Sequence, residues 1–124
     1  MAAAVQRDIF VEGFSGANTA DIVYEWQLLL QNSDGSPMDL DGATTSFKAK
    51  KSYSDANAVI TASEISGITV DANNSIATLA LTVGHFAGVA LNRESTEFVY
   101  DWDLVVDGRR FRMYRGSMTV GGDI

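Results

Sequence analysis

Phe98 to Val120, FVYDWDLVVDGRRFRMYRGSMTV, carries an apolar alternation, a turn signal and a charge cluster together, and the fold turns on how they are read. Taken every second residue, Phe98, Tyr100, Trp102, Leu104 and Val106 share one face, while Asp101 and Asp103 alternate with valines on the other. Asp107 and Gly108 suit the positive φ angles of a type I′ turn, so the segment reads as a two-residue β-hairpin. Counting back from that loop, Val106 pairs with Arg109, Leu104 with Phe111, Trp102 with Met113 and Tyr100 with Arg115. On the opposite face Val105 pairs with Arg110, Asp103 with Arg112 and Asp101 with Tyr114. Carboxylates and guanidiniums thus answer one another across a ladder, and exposed pairs of this kind contribute about 0.2–1 kcal/mol each. One anomaly stands out: this register sets Arg115 beside Tyr100 on the apolar face, at the open rim of the core or at a subunit contact.

The same period of two runs through the rest of the chain. RDIFVEG at 7–13 is a first strand candidate. In Asp21–Gln31, Ile22, Tyr24, Trp26, Leu28 and Leu30 lie on one side, with Glu25 and Gln27 on the other. NSDGSP concentrates turn formers, and a strand at Ala43–Lys51 follows, setting Thr45, Phe47 and Ala49 against Lys48 and Lys50. Further strands fall at Ala58–Glu64, Ile68–Asp71 and Ser75–Val83, the last two joined by a tight Ala-Asn-Asn turn. Gly84–Ser95 breaks the alternation and reads as a connection with one helical turn, crossing between sheets. Short strands at regular spacing predict an all-β, immunoglobulin-like antiparallel β-sandwich of about seven or eight strands. It would span residues 7–120, between a flexible N-terminal arm at 1–6 and a tail at 121–124. The expected core includes Ile22, Tyr24, Trp26, Leu28, Phe47, Leu79, Leu81, Tyr100, Trp102, Leu104 and Phe111.

With 124 residues the chain makes one domain, and its net charge of −7 argues against nucleic acid or an anionic membrane as default partner. The absence of cysteine removes disulfides, thiolate nucleophiles and sulfur-rich zinc sites. No run approaches the ~20 apolar residues of a membrane helix, and the start lacks a basic-flanked apolar core, so the protein is expected in the cytoplasm when made. His85 stands in the irregular connection with no nucleophile motif beside it and reads as a packing residue. Asp34, Asp39 and Asp41 put oxygen ligands close together, yet their spacing does not match an EF-hand and no bidentate glutamate follows; turn capping explains them. Asn73–Ser75 matches a glycosylation sequon without a secretion signal. Trp26 and Trp102 fall in phase with aliphatic residues, which favours core packing over a sugar-stacking platform. No catalytic residue, cofactor or metal is expected.

The order of signals resembles the immunoglobulin-like N-terminal domain of phage baseplate upper proteins and related small tail-associated virion proteins. Four elements carry the resemblance over about three quarters of the chain. They are a polar turn with Pro37, Asp39, Leu40 and Gly42; Gly67, Ile68 and Thr69; Phe98, Tyr100 and Asp101; and Gly116 with Val120. NRESTEF departs from the family in being longer and more polar before the aromatic strand, and the chain resembles a free-standing version of the domain. The resemblance implies a non-enzymatic structural protein of a tailed phage particle, localised to the virion. Such a protein is an adaptor or decoration subunit in the tail or baseplate, present in several copies and contacting other virion proteins. A capsid decoration protein is the alternative within that class, and a carbohydrate-binding sandwich the alternative outside it. The expected partner interface is the hairpin face with Arg110, Arg112 and Tyr114, together with Arg115 at the rim of the other face, since arginine and aromatic residues are enriched at interfaces.

Overall fold

Two facing sheets make up the computed structural model, which describes residues 5–12, 18–32, 34–86 and 95–121. In chain order the strands are β1 (Val5–Gln6), β2 (Ile9–Val11), β3 (Ile22–Leu29), β4 (Thr44–Lys50), β5 (Ile60–Ser63), β6 (Ile68–Asp71), β7 (Ile76–Thr82), β8 (Ser95–Val106) and β9 (Arg109–Gly121). One sheet runs β5-β4-β8-β9, with β1 and β2 both added along β9, and the other runs β3-β7-β6. This is the immunoglobulin arrangement, in which strands B, E and D face strands C, F and G. A single 3₁₀ turn, Val83–Phe86, follows β7 where the chain leaves the smaller sheet.

The β8–β9 hairpin closes as its sequence requires, with Asp107 at φ 51° and Gly108 at φ 74°. The two-residue register holds from Val106↔Arg109 to Asp103↔Arg112 and then shifts by one, giving Trp102↔Tyr114, Asp101↔Arg115 and Tyr100↔Gly116. Met113 is the extra residue of a β-bulge, and a one-residue slip exchanges the faces of everything beyond it. Tyr114 therefore turns inward and Arg115 outward, which corrects the sequence register and removes its anomaly. A second irregularity lies between Ile22 and Tyr24, so Ile22 pairs with Thr82 and is 57% exposed instead of lying in the core. Phe111, near the hairpin tip, and Tyr24 are half-buried, and Tyr24 packs against the core. The other expected core residues are buried, joined by Phe98, Met118, Val120, Ile60 and Phe86.

Between the sheets the aromatic rings interlock. Trp26 on β3 meets Trp102 on β8 edge-on, with ring centroids 5.1 Å apart and planes at 73°, and meets the inward-turned Tyr114 at 4.6 Å. In antibody domains a disulfide links the corresponding two strands, B and F. Here, with no cysteine, the tryptophan pair spans the same gap. The indole N–H of Trp102 donates to Thr45 Oγ1 at 2.8 Å, and that hydroxyl donates to the Asp103 carbonyl at 2.9 Å, so both buried polar groups are satisfied.

The N-terminal strands run parallel to β9, a pairing the antiparallel expectation did not contain. The strand starts at Val5, inside the span assigned to a flexible arm; residues 1–4 and 122–124 lie outside the described residues. Arg7 and Asp8 interrupt the strand: the Arg7 N–H still donates to the Arg115 carbonyl at 2.9 Å, and side chains supply further hydrogen bonds. Tyr100 donates its hydroxyl to the Arg7 carbonyl at 2.6 Å, and Asp8 Oδ1 accepts the Ser117 N–H at 3.1 Å. Position 116 must be glycine for this crossing, because a Cβ there would stand 2.1 Å from the Arg7 carbonyl oxygen. The Arg7 guanidinium lies 4.3 Å from the Trp26 ring centroid, so the segment also caps the aromatic cluster.

Candidate functional site

The outer face of the larger sheet is built from cross-strand rows. Ser46, Asp103 and Arg112 form one row, and Lys48, Asp101 and Arg115 the next. Asp103 is only 5% exposed, and Arg110 binds its Oδ2 through both Nε and a terminal nitrogen. That hydrogen bond and the charge of Asp103 raise the Arg110 pKa above its ordinary value. Arg112 Nε stands 3.6 Å from Asp103 Oδ1 and 3.8 Å from Asp101 Oδ1, and Arg115 Nε lies 3.8 Å from the same Asp101 oxygen. Both Oδ1 atoms are buried and make no hydrogen bond, so Arg112 compensates them as an ion pair beyond hydrogen-bond reach. Tyr53, from the loop after β4, lays its ring 4.4 Å under the Arg115 guanidinium and directs its hydroxyl at the carbonyls of Tyr100 and Gly116.

Of the four residues expected at an interface, Arg110, Arg112 and Arg115 therefore share this outer face. Tyr114 does not, because the bulge at Met113 packs it against Trp26. The aromatic beside the arginines is Tyr53, which is distant in sequence and gave no signal there. Alongside the rows, an open groove of about 570 Å³ runs past Thr44, Ser46, Lys48, Ser63 and Glu64 to Asp103. Glu64 Oε2 accepts the Thr45 N–H at 3.0 Å, replacing a backbone partner beyond the end of β5.

The remaining chemical candidates serve the fold. His85 Nδ1 accepts the Thr82 N–H at 2.9 Å, which assigns the proton of the neutral ring to Nε2. Nε2 lies 3.2 Å from Ser66 Oγ and donates to it, a polarity opposite to that of a base activating a serine. Sequence gave no hint of this contact, since Ser66 and His85 meet only through the sheet. Asp34 Oδ1 accepts the N–H and hydroxyl of Ser36, which lower its pKa, and Asp39 Oδ1 accepts the Asp41 N–H. No group of three or more metal-capable side chains occurs among the described residues. Ser75, in the sequon, is buried and donates to the Met38 carbonyl, and both tryptophans are buried and present no ring for a sugar. No described helix is long and apolar enough to cross a membrane.

Strand order and pairing define an immunoglobulin-like β-sandwich. No protein-family model matches the chain, and no curated protein matches it. Among solved structures it is similar to zebrafish RET cadherin-like domains 1 to 4, with 8% identity, a TM-score of 0.45, and coverage of 96% of this chain and 24% of that one. The chain thus spans about a quarter of that structure's length.

Proposed function

We propose that this protein is a non-enzymatic structural subunit of a tailed phage particle, an adaptor or decoration protein of the tail or baseplate used in several copies. The observation that carries the reading is the ordered set of four family-like motifs, each at a structural station of one sandwich. Pro37–Gly42 forms the turn feeding β4, Gly67–Thr69 opens β6 at a φ of 97°, Phe98–Asp101 lies in β8, and Gly116–Val120 lies in β9. Charged groups of the outer face pair with one another across the strands, beside an open groove, which suits a surface for protein contact. Lys48, Lys50, Arg110, Arg112 and Arg115 gather there in a chain of net charge −7, so the neighbour this face meets is acidic. Peptide mass spectrometry of particles purified from cells carrying the gene tests the reading. Recovery of this chain in stoichiometric amounts supports it, and absence from the particles refutes both the tail and the capsid versions.

A further inference from the structure

Among the described residues, the outer edge of β3 is the longest strand edge left unpaired. Leu30 N–H bonds the Ser75 carbonyl and Ala80 N–H bonds the Gly67 carbonyl, which fixes the parity of the small sheet. Tyr24, Trp26 and Leu28 therefore bond β7, while the N–H and C=O groups of Glu25, Gln27 and Leu29 point away from it. No described residue meets those groups. Other edges are blunted: β5 and β6 have four residues each, and β1–β2 is interrupted at Arg7–Asp8. β3 has eight residues, with no lysine, arginine or proline, and carries Ile22 at 57% and Leu29 at 61% exposure. Proteins ordinarily guard such an edge with charge, proline or brevity.

We propose that β3 pairs antiparallel with β3 of a second copy, about a two-fold axis at Trp26, joining two small sheets into one of six strands. The occupant follows from side-chain complementarity. Along the regular part of β3 after its bulge, Glu25, Gln27 and Leu29 are the positions whose backbone groups no described residue meets, so hydrogen-bonded pairs combine these positions. An axis through Glu25 sets carboxylate against carboxylate, and one through Gln27 sets Glu25 against the partner's Leu29. An axis at Trp26 sets Glu25 opposite the partner's Gln27, and by symmetry Gln27 opposite the partner's Glu25. Each amide then donates to a carboxylate across the ladder, in the isologous manner of a closed dimer. The same register sets Leu29 opposite the partner's Val23 at the bulged end of the neighbouring strand, one residue from the partner's Ile22, so the two exposed aliphatic residues come together. The inference rests on the strand edge alone and is independent of the phage reading.

Sedimentation of the whole chain over a range of concentrations, with amide exchange at Glu25, Gln27 and Leu29, tests the pairing. The wild type is expected to dimerise on concentration, with slowed exchange at those three amides. Leu29→Lys places a charge on the edge, and Gln27→Pro removes an N–H that no strand of the sandwich uses. Both are expected to stay monomeric with circular dichroism unchanged, and either alone suffices if the other fails to fold. A wild type that is monomeric at every concentration overturns the proposal. So does a dimer that persists in the folded variants with those amides exchanging freely.

Discussion

Trp102 fills the space between the sheets with its ring and satisfies Thr45 with its indole N–H, so two replacements separate the two roles. Trp102→Ala is expected to cost about 3–5 kcal/mol, as for other large-to-small core changes. Thr45→Val keeps the ring and removes its acceptor, at a cost of about 1–3 kcal/mol for a buried donor left alone. Urea unfolding followed by fluorescence reads both as lower midpoints with unchanged slope. Gly116→Ala drives a methyl group into the Arg7 carbonyl and is expected to cost about 1–3 kcal/mol and to release β1 to proteolysis, detected by cleavage near Arg7. Asp8 supplies a pH signature. The Ser117 backbone N–H, then the Ser117 side chain, hold its carboxyl below the ordinary value, so its contribution is complete above the unfolded pKa and is lost as pH falls through the lowered folded one. Asp8→Asn is expected to flatten the acid limb of a plot of melting temperature against pH; an acid limb identical to wild type would exclude this role. At this scale the sequence was legible wherever alternation reached an unbroken strand, as at Trp26, Phe47 and Leu79. It was silent on Asp103, whose place on the polar alternation gave no sign that it is buried beneath Arg110.

The elements were legible to within a residue or two at most ends, because turn chemistry and period two agree from Thr44 onward. The errors concentrate at the two bulges, at Val23 and Met113, where neither glycine nor proline marks the extra residue. Each bulge exchanges the two faces of a strand, which sent Ile22 into the expected core and Tyr114 onto the expected interface. Deleting Met113 joins Arg112 to Tyr114 in a regular ladder that keeps Trp102 opposite Tyr114 and Asp101 opposite Arg115. The shortened hairpin is therefore expected to fold with both faces unchanged, read as a native-like near-ultraviolet circular dichroism spectrum; loss of that spectrum would mean that the bulge has a role beyond setting the faces. The same logic divides the arginines. Arg110→Ala leaves the buried Asp103 without its hydrogen-bond donor and is expected to cost about 1–3 kcal/mol, whereas Arg112→Ala removes only longer ion pairs worth about 0.2–1 kcal/mol. A clean test of the face as an interface therefore spares Arg110 and reverses Lys48 and Arg112 together.

For the whole molecule, the least legible feature was the parallel attachment of β1 and β2 to β9. Two- and three-residue strands are too short to show a period, and their partner lies at the far end of the chain. Their pairing ties the N-terminal segment to the last strand and places Arg7 over Trp26, which brings both ends of the sandwich to its aromatic centre. Among its described residues the molecule offers a neighbour a polar outer face rich in arginine on the larger sheet and, along β3, an edge of the smaller sheet. Cryo-electron microscopy of purified particles tests the structural-subunit reading most directly. Density for this sandwich is expected at repeated, symmetry-related positions on the tail or baseplate, with the face carrying Lys48 and Arg112 against an acidic subunit. A complete particle reconstruction in which every tail, baseplate and capsid density is occupied by other chains would contradict it.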